Sequence, residues 1–331
     1  MIAVRITLPV VHDYLDVAQK IPISSVEINK LIPGNGGSMF DGILLPLDGS
    51  ELAEISIPYG EELATDFGSE LILYHSRVPG PDELEHIHEG YLDRLVGGIR
   101  QNIQGSNAKV SLKIQAEEPA DNICNVVSKN NIDLIIMASV SASDIKIGKM
   151  LGSVTDHVCH TVPIPVLLIR PQVNLKIKNK QKLFTQLLVP LDGSDLSKKA
   201  LPVAEKLSSA LKVPVTIFEM ATMLHQYIAY GYGPFIDYAK MDAAEKKEVE
   251  EEMRVLNEAI RQKEIDVNST VTLGTDAAIE IEKVTETIGA DLIVMTTHGR
   301  SGLDRWLMGS VAEKVLRYGK VPLLLVNARA V

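Results

Sequence analysis

Apolar residues follow two rhythms along this chain. In its second half they form short continuous runs: Leu187 to Leu191, Val215 to Met220, Ser269 to Leu273, Leu292 to Thr296 and Leu323 to Val326. Runs of this length and composition fit strands buried on both faces. The segments between them repeat with helical spacing, as in Lys199 to Leu211 and Ala244 to Gln262. In the latter, Val249, Met253, Leu256 and Ile260 stand 4, 3 and 4 apart and form one apolar stripe, with Glu250, Glu251, Glu252 and Arg254 largely off it. Strands alternating with helices imply right-handed crossovers and a parallel sheet covered on both faces. This half reads as a five-stranded α/β domain.

The pattern occurs twice. Leu45-Pro46-Leu47-Asp48-Gly49-Ser50 returns as Val189-Pro190-Leu191-Asp192-Gly193-Ser194, and Asp133-Leu134-Ile135-Ile136-Met137 as Asp291-Leu292-Ile293-Val294-Met295. Gly152-Ser153-Val154 returns as Gly309-Ser310-Val311, and Pro165 to Ile169 as Pro322 to Val326. Four blocks in one order mean a duplicated domain. The expected division is an extension over 1–39, a first domain over 40–171, a linker over 172–184 and a second domain over 185–331. Pro33 to Ser38 reads as a flexible junction, and Lys176 to Lys182 as a solvated basic linker rather than a nucleic-acid patch. The offset between copies is 192−48 = 144 at the first strand, 295−137 = 158 at the fourth and 309−152 = 157 beyond it. The second copy therefore gains 14 residues before its fourth strand, placed in the Tyr- and Gly-rich segment Leu224 to Tyr238, and the first copy carries one extra residue before Gly152.

Composition narrows the function classes. The 331 residues carry a net charge of -10, which argues against a nucleic-acid backbone or an anionic membrane as partner. The two cysteines, Cys124 and Cys159, both fall in the first copy, which leaves no disulfide framework in view and points to a reducing compartment. No apolar run is long enough to span a bilayer, and the N-terminus does not read as a signal peptide. The expectation is a cytoplasmic protein.

In an open parallel sheet, ligands sit beyond the carboxyl ends of the strands where neighbouring connections leave on opposite faces. In the second copy these ends carry Asp192-Gly193-Ser194 and Thr296-Thr297-His298-Gly299-Arg300-Ser301-Gly302, followed by Gly309-Ser310. Gly299 admits a close backbone approach. Gly309-Ser310 opens a helix from Val311 whose free N–H groups and dipole suit an anion. Arg300 and Arg305 add positive charge. Together these residues read as a phosphate cradle. The structural alternative is that Asp-Gly-Ser makes a turn and cap, and that Ser310 only caps its helix. Glu85-His86-Ile87-His88-Glu89 reads as a solvated segment rather than a metal site, and His157-Val158-Cys159-His160 as helix surface around one buried cysteine.

Val-Pro-Leu-Asp-Gly-Ser, Asp-Leu-Ile-Val-Met-Thr-Thr-His-Gly-Arg and Gly-x9-Gly-Ser-Val, in this order, resemble the universal stress protein family over nearly all of both copies. The resemblance implies two tandem Rossmann-like α/β domains with strand order 3-2-1-4-5, ATP as ligand, with or without Mg2+, and domains paired through their fifth strands. It assigns ATP to Pro190, Asp192, Met220, Thr296, His298, Gly299, Arg300, Gly302, Gly309, Ser310 and Val311, with Asp192 at the nucleoside end and Met220 meeting the adenine through its backbone. Thr296 departs from the family's Gly-x2-Gly-x9-Gly-Ser/Thr pattern at its first glycine. The first copy keeps Asp48, Gly152 and Ser153, with Ser76 on the base side, but its central glycine is replaced by Ser141 or Ala142, depending on the direction of counting. If that position needs a positive φ, a β-carbon there costs on the order of 1 kcal/mol and crowds the phosphates. The first site is expected to be degenerate.

The leading expectation is a regulatory nucleotide-binding protein that presents an altered surface to an unknown protein partner. The alternatives are a slow ATPase or phosphotransferase, with Asp304 and His298 as the local candidates, and a ligand-free assembly scaffold. No catalytic residue and no protein-held metal is assigned. The segment Leu224 to Tyr238 is a lid or a disordered loop. The terminal strands Val166 to Ile169 and Leu323 to Val326 are too apolar to be open edges, so pairing within the chain into a pseudo-dimer is expected. Homodimer formation, and the role of strand-like Ile2 to Leu8, are left open.

Overall fold

The computed structural model describes residues 39–76, 82–115, 119–140, 150–171, 182–223, 238–299 and 308–327. In the first half, β1 (Gly42–Leu47) leads through a 3-10 turn (Ala53–Ser56) into α1 (Ile57–Phe67). There follow β2 (Glu70–Ser76), α2 (Asp82–Asn102), β3 (Lys109–Gln115), α3 (Pro119–Lys129), β4 (Leu134–Ala138), α4 (Ser153–Thr161) and β5 (Val166–Ile169). The second half repeats the order. It contains β6 (Leu187–Leu191), α5 (Asp195–Lys198), α6 (Ala200–Leu211), β7 (Val215–Thr222) and α7 (Tyr238–Arg261). It ends with β8 (Val267–Gly274), α8 (Ala277–Ile288), β9 (Leu292–Thr296), α9 (Ser310–Tyr318) and β10 (Leu323–Val326).

The ten strands form one sheet in the order β3-β2-β1-β4-β5-β10-β9-β6-β7-β8. Every pairing is parallel except the central one, where β5 and β10 run antiparallel with Leu167 opposite Leu324. The two apolar strands that would have been open edges thus cover each other. Alternate side chains of each strand serve opposite faces. Leu45, Ile136, Leu167, Val189, Val294 and Leu324 belong to the core beneath α1, α2, α6 and α7. Leu44, Ile135, Leu168, Leu188, Ile293 and Leu325 belong to the core beneath α3, α4, α8 and α9. Both cores run unbroken through both halves.

The repeated aspartates of the Asp-Leu-Ile blocks have a structural role. Asp133 Oδ2 accepts the N–H groups of Asp41 (2.9 Å) and Gly42 (3.1 Å). Asp291 does the same for Thr185 and Gln186, whose N–H groups lie 2.8 and 3.2 Å from its oxygens. Each ties the start of its half's first strand to the approach of the fourth. Arg170, only 2% exposed, crosses between the halves and donates from Nη2 to the Val315 carbonyl at 3.0 Å.

Candidate functional site

In each half the first and fourth strands are neighbours, and their connections leave on opposite faces of the sheet. The crevice this opens in the second half lies beyond Leu191 and Thr296. Asp192, Gly193 and Ser194 fill its β6 side. Asp192 Oδ1 accepts from the Ser194 N–H (3.1 Å) and hydroxyl (2.6 Å), while Gly193 takes φ 78°, open to it without a β-carbon. Ser194 then caps α5, accepting the Ser197 N–H at 3.1 Å, and Ser197 Oγ accepts the Asp192 N–H at 3.3 Å. The turn-and-cap reading of this block is correct, and it is what orients the aspartate. The first copy repeats the turn, with Asp48 Oδ1 2.9 Å from the Ser50 nitrogen and Gly49 at φ 85°. Ala53 stands there at the position of Ser197, so one of the supports is missing.

The β9 side is built by Thr297, His298 and Gly299. Thr297 donates its N–H to Val326 O (3.0 Å) and accepts the Gly309 N–H on its own carbonyl (2.8 Å). The second of these bonds sets Gly309 beside Gly299. Thr296 Oγ1 donates to His298 O at 2.7 Å, and Thr297 Oγ1 lies 2.9 Å from His298 Nδ1. The backbone leading into Gly299 is therefore held by side chains as well as by the sheet. Thr297 lies in the block read from the sequence as a cradle, but the part its carbonyl plays in closing onto Gly309 is visible only from the hydrogen bond.

Gly299 is not used for a positive φ. Its φ lies outside the left-handed region, and a β-carbon there would overlap Asp192 Oδ2. Backbone strain therefore does not apply at Gly299; the close contact is with the Asp192 side chain, just beyond β6. Gly309 is the N-cap of α9, with φ −62° and ψ 143°, and Ser310 is the first helical residue. The first helical bond runs from Glu313 N–H to Gly309 O at 2.8 Å. The N–H groups of Ser310, Val311 and Ala312 consequently have no acceptor inside the helix. Ser310 itself is exposed.

Compared with known proteins, the chain matches the model of the universal stress protein family twice, over residues 39–170 and 184–327. The chain belongs to the universal stress protein family. It is 28% identical over 161 residues to the universal stress protein MJ0531 of Methanocaldococcus jannaschii, covering 47% of this chain and 89% of that one. It is 30% identical over 151 residues to the universal stress protein YxiE of Bacillus subtilis, covering 44% and 100%. Among solved structures, a universal stress protein from Archaeoglobus fulgidus superposes with a TM-score of 0.64 at 23% identity, covering 87% of this chain and 98% of that one.

With two universal stress modules in one chain, the sites of the two halves can be compared residue by residue. Asp192, Thr296, His298, Gly299, Gly309, Ser310 and Val311 gather around the second crevice. Pro190 is buried in β6 opposite Phe218. Met220 lies further along β7, its sulfur packed on Gly274. Arg300, Gly302, Asp304, Arg305 and the segment 224–237 fall outside the described residues.

In the first half, Ser139 occupies the place of Thr297, donating to Ile169 O (2.9 Å) and accepting the Gly152 N–H (2.9 Å). The position of Gly299 is thus Ser141, which lies outside the described residues, as does Ala142. Gly152 again precedes a helix, and Ser153 is exposed at its start. Asp48 is exposed; Ser76 ends β2 at the position of Met220. Deeper in, the two crevices differ in chemistry. His75 takes the place of Glu219, its buried ring donating from Nδ1 to Leu47 O at 2.9 Å, and the Tyr91 ring lies 6.3 Å away. Burial, then Glu54 and Asp48, push the Tyr91 hydroxyl well above the usual tyrosine range.

Among the described residues no helix is long and apolar enough to cross a membrane. His157 and His160 lie exposed on α4 around buried Cys159, as the sequence suggested. The side chains of Glu85 to Glu89, in α2, are outside the described residues.

Proposed function

We propose that this universal stress protein binds one adenine nucleotide, with ATP the favoured form, in its second domain (185–331), and that binding serves regulation rather than turnover. One observation carries the reading: Gly299 is pressed against Asp192, beside the start of α9, where a β-carbon would displace the carboxylate. A backbone kept bare at this point, next to the donors of Ser310, Val311 and Ala312, is the surface an anionic phosphate chain requires. The backbone of Gly299 and the α9 start would hold the phosphates, with Asp192 toward the nucleoside and Thr296 and His298 shaping the floor. Arg300 and Gly302 belong to the same loop in sequence. A bound nucleotide supplies charge that orders these groups, and no proton or phosphoryl transfer is assigned to any residue.

The first domain (40–171) is proposed to be degenerate. It retains Asp48, Ser76, Gly152 and Ser153, but Ser141 stands where the second domain has Gly299, and His75 where it has Glu219. The test is thermal unfolding of nucleotide-stripped protein with and without Mg-ATP. At 100 times the dissociation constant the ligand should add about 2.7 kcal/mol of stability. Gly299→Ala and Ser310→Ala should each reduce the shift. An unchanged melting temperature at saturating Mg-ATP would favour the scaffold alternative, and steady phosphate release beyond a trace would favour an ATPase.

A further inference from the structure

The seam between the halves carries a second cluster, remote in kind from the nucleotide crevice. Helices α4 and α9 meet across the β5–β10 pairing, and each holds an acid four residues before a base: Asp156 and His160 on one, Glu313 and Arg317 on the other. These positions correspond through the repeat, since 313−156 = 157 and 317−160 = 157. The pairs cross over. Arg317 Nη2 donates to Asp156 Oδ1 at 3.1 Å, and its Nε to Glu313 Oε1 at 2.5 Å. On the other side His160 Nε2 faces Glu313 Oε2 at 3.5 Å. An arginine can only donate; a histidine in the equivalent place also offers a lone pair.

The hydrogen bonds settle which nitrogen offers it. His160 Nδ1 lies 2.7 Å from the Asp156 carbonyl oxygen, which can only accept, so Nδ1 carries the proton. In the neutral ring Nε2 then presents its lone pair to Glu313 Oε2. That oxygen is buried and has no hydrogen-bond partner, because the Arg317 bond goes to the other oxygen of the same carboxylate. Two lone-pair atoms facing each other call for a cation. Two ligands held about 2.0–2.2 Å from a tetrahedral ion stand roughly 3.3–3.5 Å apart, which is the spacing found here.

We propose that Asp156, His160 and Glu313 form a site for a first-row divalent transition metal of the zinc class, bridging the two halves of the chain. The three candidate ligand atoms lie within 4.8 Å of one another. A mixed imidazole and carboxylate set suits zinc. The outer shell is partly built: the Asp156 carbonyl fixes the imidazole tautomer, and Arg317 holds Glu313 through Oε1, the oxygen that does not face Nε2, and Asp156 through Oδ1. The ligands are partly exposed, so an ion can enter without unfolding. Metal bound here would link α4 to α9, the helix whose N-terminus faces the nucleotide crevice, yet the site does not depend on nucleotide for its ligands.

The test uses the full chain, stripped of nucleotide and treated with chelator, titrated with zinc by calorimetry and with cobalt by visible absorption. One ion per chain is expected, with a zinc-dependent rise in melting temperature. His160→Gln and Glu313→Gln should each weaken binding about tenfold or more and abolish that rise. His157→Gln is the control, since this exposed neighbour on α4 contacts Asp121 instead, at 3.4 Å. His160→Gln retains both Arg317 bonds, and its metal-free melting temperature verifies that the seam is intact. Absence of zinc binding at millimolar metal would overturn the proposal, as would binding that both His160→Gln and Glu313→Gln leave unchanged. A seam whose stability follows pH but ignores zinc would show that the cation is a proton on His160, and would equally overturn it.

Discussion

A β-carbon at Gly299 would overlap the Asp192 carboxylate, which would have to move. The glycine itself was legible in the sequence, within a recognisable motif, but this contact was not, since Asp192 follows a different strand. By contrast, the positive φ of Gly49 and Gly193 follows from the Asp-Gly-Ser turn alone. Gly299→Ala is therefore expected to move the Asp192 carboxylate and weaken Mg-ATP binding at least tenfold, or about 1.4 kcal/mol, as measured by calorimetry. Gly152→Ala in the first half should leave nucleotide affinity unaltered. The cysteines give a separate test. Burial pushes the Cys159 thiol up to about 12, overcoming the opposing pull of Arg170, whereas Cys124 is only partly buried. Native alkylation near pH 8, followed by peptide mass spectrometry, should modify Cys124 well before Cys159.

Helix α7 was legible from its stripe because Val249, Met253, Leu256 and Ile260 all pack toward the core while Glu250, Glu251, Glu252 and Arg254 face solvent. Its start was less legible: the expected Ala244 gives way to Tyr238, because the first turns carry no apolar repeat to announce them. The helix expected over Lys199 to Leu211 is α6, starting one residue later, and a separate short helix, α5, precedes it with a break at Lys199. Pro202 explains the break, since without an N–H it cannot donate to the Lys198 carbonyl. Pro58 stands at the matching place in the first half, where a 3-10 turn precedes α1. Met253, 0% exposed, should cost about 2–5 kcal/mol of stability when replaced by alanine, measured by urea unfolding. Glu251→Ala, which removes only the two solvent-exposed bonds from Arg254, should change it by no more than about 0.5 kcal/mol.

The duplication was visible in the sequence, and the apolar terminal strands foretold a covered seam, but the side chains that cross it were not readable. Asp156 and Arg317, or Arg170 and Val315, belong to different copies and share no local pattern. Since both hydrophobic cores pass through the β5–β10 pairing, the two halves should unfold as one cooperative unit. Near-UV circular dichroism, to which buried Tyr59 and Tyr74 contribute, and far-UV circular dichroism should give coincident urea transitions. Replacing Leu324, buried opposite Leu167, with aspartate should break this unity and cost more than about 4 kcal/mol. On the proposed reading, the two halves, similar in backbone, should differ in the ligand they hold. Calorimetric titration of nucleotide-stripped protein with Mg-ATP tests this most directly, using the unaltered chain beside Gly299→Ala and Gly152→Ala. The expected result is one nucleotide per chain, lost with Gly299→Ala and retained with Gly152→Ala. Two equivalent sites, or binding that survives Gly299→Ala but not Gly152→Ala, would contradict the assignment of the nucleotide to the second half.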